Sequence, residues 1–95
     1  MSILIDQPRW RAHDTRFAHL VSDTSFGELH AFVTALSLAR PLRFHRDHYD
    51  VPAVFWQDAV DAGARVVPTR EIVRKLRAAG LRATSAGTGR RRPGG

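Results

Sequence analysis

The most constraining feature of this sequence is the alternation of short apolar segments with amphipathic ones, separated by proline and glycine. Residues 2–5 and 17–22 are apolar runs with the length of buried strands, and 65–67 is a third. Residues 42–44 are a weaker candidate. Amphipathic segments follow the later strands, and their apolar residues recur at the spacing of a helix. This order predicts an α/β fold with a small, mostly parallel sheet of three or four strands and three helices. The direction of the first strand stays open.

Capping residues and helix breakers limit the predicted helices. Ser25 with Glu28 three positions later makes a capping box at the start of the first helix, and Pro41 forces this helix to end near residue 38. Thr69 is predicted to cap the last helix. The predicted helices therefore span residues 26–38, 52–62 and 70–79.

Length and composition indicate one domain with a tail. The chain has 95 residues and no cysteine, which excludes disulfides, thiolate metal sites and cysteine nucleophiles. Residues 1–82 form the predicted α/β domain, and residues 83–95 form an Arg/Gly-rich tail predicted to be disordered because it has nothing apolar to pack. No segment resembles a signal peptide or approaches the roughly 20 apolar residues of a membrane span. We therefore expect a cytoplasmic protein without a membrane partner.

Positive charge is concentrated in the last third of the chain. Residues 1–64 have a net charge of −2 and residues 65–95 a net charge of +8. Such asymmetry favours a polyanionic partner, although arginine-rich composition also follows from a GC-rich genome. The candidate nucleic-acid-binding residues lie on the last helix and in the tail: Arg74, Arg77, Arg90, Arg91 and Arg92.

Polar side chains follow each predicted strand. In a parallel sheet the carboxyl ends of the strands share one edge, where ligands bind. The residues that this rule brings together are Asp6, Ser22, Asp23, Asp47, His48, Asp50, Thr69 and Arg70. Several carboxylates at one edge need a counter-charge, and a mainly oxygen-donor site favours Mg²⁺ or Mn²⁺ over Zn²⁺.

Specific roles follow from this arrangement. The predicted metal ligands are Asp6, Asp23, His48 and Asp50. The predicted catalytic residues are Asp47, His48, Asp50 and Arg70, with Arg70 holding a substrate oxyanion. If residues 45–50 are extended, His48 and Asp50 point to the same side of the strand, as a metal-binding pair requires. The sequence thus favours metal-dependent hydrolysis of a phosphoester or nucleic acid.

Each of these residues also has a structural interpretation. Asp23 and Asp50 are placed to cap helices, Asp6 could pair with Arg9 or Arg11, and Arg70 could be a solvated helix residue. His19 lies within a strand, where a hydrogen-bonded core histidine is more common than a metal ligand. Additional candidate site residues are His19, His30 and Tyr49.

Several segments together carry a family resemblance. They are Asp6 with Arg9-Trp10, His19-Leu20-Val21-Ser22-Asp23, Glu28-Leu29-His30-Ala31-Phe32, Asp47-His48-Tyr49-Asp50-Val51-Pro52, Gly63-Ala64 and Arg70-Glu71-Ile72. Across residues 2–82 the chain resembles the bacterial and phage family catalogued as domain of unknown function 4031. The resemblance implies that His19, His30, Asp47, His48 and Asp50 belong to a family pattern, and it implies no reaction.

Two other functions remain open. The basic last helix and tail could form a non-catalytic nucleic-acid-binding module, whose affinity would fall with salt. Alternatively, an exposed tryptophan could anchor the chain to a larger protein, with Trp10 a better candidate than Trp56. Whether the protein is an enzyme, whether its substrate is nucleic acid or a phosphorylated small molecule, and its oligomeric state all stay undecided.

Overall fold

A computed structural model describes residues 2–12 and 15–82, with residues 10–12 described by their backbone alone. The strands are β1 (Ile3–Ile5), β2 (Trp10–Ala12), β3 (Thr15–Ser22), β4 (Arg43–His45), β5 (His48–Pro52) and β6 (Arg65–Val66). The helices are α1 (Phe26–Leu36), α2 (Ala53–Asp61) and α3 (Thr69–Ala78). The α/β class and the three helices agree with the sequence prediction. The tail at 83–95 lies outside the described residues.

The sheet is mixed and mostly antiparallel, so the predicted parallel sheet of three or four strands is wrong. Its order is β4-β5-β3-β1-β6, and β2 pairs with β3 beside β1. In the described part of the chain, only β1 and β6 run parallel. The error has two sources. The predicted loop at 7–16 contains β2 and turns back into β3, and the segment after β4 makes a tight hairpin with β5.

Alternating side chains give the sheet two differently covered faces. On one face, which we call the double-helix face, Ile5, Leu20 and Val51 pack with residues of α1 and α2. On the other, the single-helix face, Leu4 and Val21 pack against α3. Strand alternation places His19, His48 and Asp50 on the single-helix face as well. They line an open pocket there.

Of the three helices described, only α1 begins with a side-chain cap. The Ser25 hydroxyl accepts a hydrogen bond of 3.1 Å from the Glu28 amide, which confirms the predicted cap of α1. Asp50 does not cap α2, since the residue before that helix is Pro52 and no side chain bonds its first turn. The predicted cap at Thr69 is wrong: α3 begins after Pro68, and the Thr69 hydroxyl donates to the Asp6 carboxylate instead.

None of the described helices is long and apolar enough to span a lipid bilayer.

Replacing Leu20 should show how strongly the fold depends on the central strand. Leu20 is fully buried, so Leu20→Ala should lower the free energy of unfolding by about 2–5 kcal/mol through lost apolar burial and the cavity left behind. Urea unfolding followed by circular dichroism measures this loss. Val54, which is 70% exposed on α2, provides the control, and Val54→Ala should change stability by less than about 0.5 kcal/mol. Equal losses in the two variants would contradict the assigned core.

Candidate metal centre

Asp6 is a buried carboxylate at the carboxyl end of β1. It is 2% exposed, and it accepts hydrogen bonds from the His19 backbone amide at 2.6 Å and the Thr69 hydroxyl at 2.6 Å. Burial alone raises the pKa of Asp6, but the hydrogen bonds from His19 and Thr69 outweigh it and hold the pKa below its ordinary value. Asp6 therefore stays ionised inside the protein.

Asp6 also orients the His19 ring. The Nδ1 atom of His19 lies 2.8 Å from Oδ2 of Asp6. This hydrogen bond raises the pKa of His19, while burial opposes the rise. With Nδ1 bound to a carboxylate, Nε2 is the ring nitrogen that would ligate a metal, as in carboxylate–histidine–metal arrangements.

A tight hairpin brings His48 and Asp50 to the same place. His45 pairs with His48 across a turn formed by Arg46 and Asp47, with Arg46 at a positive φ of 60°. Asp50 lies directly opposite His19 in the pairing of β3 with β5. As the sequence predicted, His48 and Asp50 share one side of the strand.

Asp47 orients the His48 ring in the same way that Asp6 orients the His19 ring. Nδ1 of His48 lies 2.8 Å from Oδ1 of Asp47. The Arg82 guanidinium, just beyond α3, donates to both oxygens of Asp47 at 2.7 and 2.9 Å. Burial raises the pKa of Asp47, but hydrogen bonds from Arg82 and His48 bring it below its ordinary value.

Three potential ligand atoms converge between the strands. One atom each from His19, His48 and Asp50 lies within 4.8 Å of the others. The two imidazole rings are 5.0 Å apart between centroids. Oδ1 of Asp50 is 3.1 Å from Nε2 of His48, but it is buried and makes no hydrogen bond with a described residue. A buried carboxylate oxygen without a hydrogen bond, beside two imidazoles oriented through Nδ1, is an arrangement that a cation could complete.

This cluster, which we call the His/Asp cluster, opens into a pocket of about 420 Å³. Arg43 and His45 form its outer wall on β4. Arg43 lies directly across from Asp50 in the strand pairing, and the His45 ring is 5.6 Å from the His48 ring. A molecule bound at the cluster would therefore meet a guanidinium and an imidazole.

The structure gathers most of the predicted site residues but gives them different positions. His48 and Asp50 lie in the cluster together with His19. Asp6 and Asp47 each bind the Nδ1 atom of a histidine rather than facing the pocket. Pairing with Arg9 or Arg11 was the alternative interpretation of Asp6; its carboxylate bonds His19 and Thr69, and the side chain of Arg11 lies outside the part of the chain that is described.

Asp23 lies at the other end of the sheet. Because β3 runs antiparallel to β1, its carboxyl end lies beside the start of β1, and Asp23 accepts a hydrogen bond of 2.8 Å from the Ser2 amide. His30 and Tyr49 bond each other at 2.9 Å, and Tyr49 packs on the double-helix face. These three residues are thus separated from the cluster.

The predicted basic residues are distributed over several sites. Arg70 lines a second pocket with Gln7 and Arg9. Arg74 forms an ion pair with Glu71, and Arg77 is exposed on α3. Arg90, Arg91 and Arg92 lie outside the described residues.

Sequence reasoning missed two arginines at the site. Arg43 joins it through the hairpin, and Arg82 through the end of α3. Neither stands in a motif. The position of Arg43 follows only from the register of β4 and β5. Asparagine or glycine in a two-residue turn usually indicates such a hairpin, but this turn contains Arg46 and Asp47.

Acid should weaken the fold through Asp47. Its pKa is below 3.8 in the folded protein and near 3.8 in the unfolded chain, so its bonds stabilise the fold above about pH 4 and this contribution is lost as the pH falls. Asp47→Asn should lower the free energy of unfolding by roughly 2 kcal/mol near pH 6, because it weakens the bonds with Arg82 and His48. Urea unfolding near pH 6 and pH 3 should show the wild-type and variant stabilities converging in acid. A difference that does not change with pH would contradict this assignment.

Comparisons with known proteins give a family and nothing closer. No curated protein and no solved structure is detectably similar to the chain. A family model matches residues 3–79, which include every member of the His/Asp cluster as well as Asp6 and Asp47, while Arg82 lies just beyond. The resemblance noted in the sequence is thereby confirmed: the chain belongs to the family described as protein of unknown function (DUF4031).

Proposed function

We propose that the His/Asp cluster binds a divalent transition-metal ion that hydrolyses a phosphoester. The observation that supports the proposal is the convergence of two imidazoles and one carboxylate within 4.8 Å. Both rings are fixed through Nδ1 by a second carboxylate, and the buried Asp50 oxygen has no hydrogen bond to a described residue.

The donor set favours Zn²⁺ or Mn²⁺ over Mg²⁺. Mg²⁺ prefers oxygen ligands, whereas two imidazoles and a carboxylate suit Zn²⁺, Mn²⁺ or Fe²⁺. The sequence alone favoured Mg²⁺ or Mn²⁺ because it counted Asp6 and Asp23 as ligands. Asp23 is too remote, and the Asp6 carboxylate is already engaged by three hydrogen bonds with His19 and Thr69, so the proposed ligands are His19, His48 and Asp50.

Three protein ligands leave coordination positions for water and substrate, as in catalytic zinc sites. A Zn²⁺ ion held by these residues would lower the pKa of a coordinated water to about 7, which would supply hydroxide at neutral pH. The hydroxide oxygen would bond to phosphorus while the ester P–O bond breaks, and the leaving alkoxide would take up a proton from water. Arg43 is placed to stabilise the non-bridging oxygens, a role that sequence analysis gave to Arg70.

Metal titration tests the proposal directly. Calorimetry on the full chain without a histidine tag should show one Zn²⁺ or Mn²⁺ per chain and weaker binding of Mg²⁺. Asp50→Asn keeps the shape of the side chain and should abolish tight binding. His48→Ala should do the same. Asp6→Asn removes no proposed ligand but weakens the support of His19 and the bond from Thr69, and it should weaken binding by roughly 10–100-fold.

His30 supplies the matched control, because it is an exposed histidine on the far side of the sheet. His30→Ala should bind metal like the wild type. Circular dichroism in EDTA checks that each variant is folded. An equal loss in His30→Ala, or no binding by the folded wild type, would refute the metal site.

Hydrolysis of bis(p-nitrophenyl) phosphate tests the reaction. The wild type with Mn²⁺ or Zn²⁺ should release p-nitrophenol, and Asp50→Asn should not. Stoichiometric metal binding without any release from this diester or from p-nitrophenyl phosphate would retain the metal site and overturn the proposed hydrolysis.

A further inference from the structure

We infer that the substrate is a polynucleotide strand that crosses the single-helix face, with Arg43 on one side of the His/Asp cluster and Arg9 and Arg70 on the other. This inference rests on the proposed function and names its substrate class. It makes the cluster the centre of an extended binding path rather than the end of a small-molecule pocket.

The strand pairings place these groups in one row across the sheet. Arg43 of β4 is opposite Asp50 of β5, and Asp50 is opposite His19 of β3. His19 bonds Asp6 at the end of β1, and Asp6 bonds Thr69, the residue before Arg70. The row therefore runs perpendicular to the strands, with the cluster between the two groups of arginines.

The arginines at both ends are available for an anion. None of Arg9, Arg43 and Arg70 forms an ion pair with a described residue, and all three are exposed. The carboxylate next to Arg70, that of Glu71, is held by two hydrogen bonds from Arg74. By contrast Arg82, which lies close to the cluster, is committed to Asp47.

Two pockets lie along this path. The first contains the cluster and Arg43. The second, about 500 Å³ in volume, is lined by Gln7, Arg9 and Arg70 and by an apolar wall at residues 66–68. Thr69 lines this second pocket, and its hydroxyl donates to Asp6. Asp6 also bonds the His19 ring of the first pocket, so it contacts the walls of both pockets. The first pocket would hold the phosphate to be cleaved, and the second pocket would hold a neighbouring phosphate of the same strand.

The length of the row suits a chain of phosphates. Five neighbouring strands are separated by four intervals of about 4.8 Å, which gives roughly 19 Å from β4 to β6. A single phosphoryl group could contact only one end of such a row. At a rise of about 3.4 Å per nucleotide, a B-form strand places roughly six phosphates over that distance.

Binding of labelled oligonucleotides tests the path. Fluorescence anisotropy should be measured on the full chain in EDTA, with 12-nucleotide DNA and RNA strands and a dinucleotide, over a series of salt concentrations. The wild type should bind a 12-nucleotide strand more tightly than the dinucleotide. Arg43→Ala and Arg70→Ala should each weaken binding several-fold and reduce the salt slope by about 0.7, the value for one phosphate contact on a single strand.

Arg16 is the matched control. It is exposed on β3, and strand alternation places it on the double-helix face, away from the row. Arg16→Ala removes the same charge and should leave affinity and salt slope unchanged. The segment 83–95 is present in every variant and contributes equally to all of them.

Two results would overturn the inference. If Arg16→Ala weakens binding as much as Arg43→Ala and Arg70→Ala, the protein attracts polyanions through its net charge alone. If the dinucleotide binds as tightly as the longer strands, the substrate is small. Because these measurements are made without metal, failure of the metal titration would refute the proposed function and leave the binding path to be judged on its own data.

Discussion

The structure depends most on the buried residue Asp6. Its carboxylate accepts hydrogen bonds from β3 and α3, and its backbone carbonyl accepts one of 2.9 Å from the indole of Trp56 on α2. One residue thereby joins β1 to a neighbouring strand and to helices on both faces of the sheet. An ionised carboxylate at such a position is stable only because donors surround it, since the desolvation of an unpaired charge would cost several kcal/mol. These donors also fix the orientation of His19.

The three aspartates at the site have different partners, and this difference determines which carboxylate is available for a ligand. Asp6 and Asp47 are occupied by the two histidine rings, which leaves Asp50 as the carboxylate that faces the pocket. A divalent ion held by one carboxylate and two neutral imidazoles keeps a net positive charge. Such a centre would attract an anionic substrate, whereas the three carboxylates expected from sequence would have given the site a net negative charge.

Sequence reasoning succeeded where local signals decide structure. Helical periodicity located all three helices, and the Ser25 capping box gave the start of α1. The alternation in residues 48–50 correctly placed His48 beside Asp50. Sequence reasoning failed where the pairing of strands determines the structure. Because β3 runs antiparallel to β1, Asp23 lies at the far edge of the sheet. The β4–β5 turn has arginine at a left-handed position, so the residue that usually announces such a hairpin is absent. Without that hairpin, neither Arg43 nor the opposition of Asp50 and His19 could be foreseen.

Helix α3 is attached at both ends to the residues that support the His/Asp cluster. Thr69 at its start bonds the carboxylate behind His19, and Arg82 just beyond its last turn bonds the carboxylate behind His48. A movement of this helix would disturb the two rings together, so its docking on the sheet and the geometry of the cluster form one thermodynamic unit. Ligation of a metal would then stabilise the folded domain by mass action and suppress local opening of α3, and loosening of α3 would release the metal.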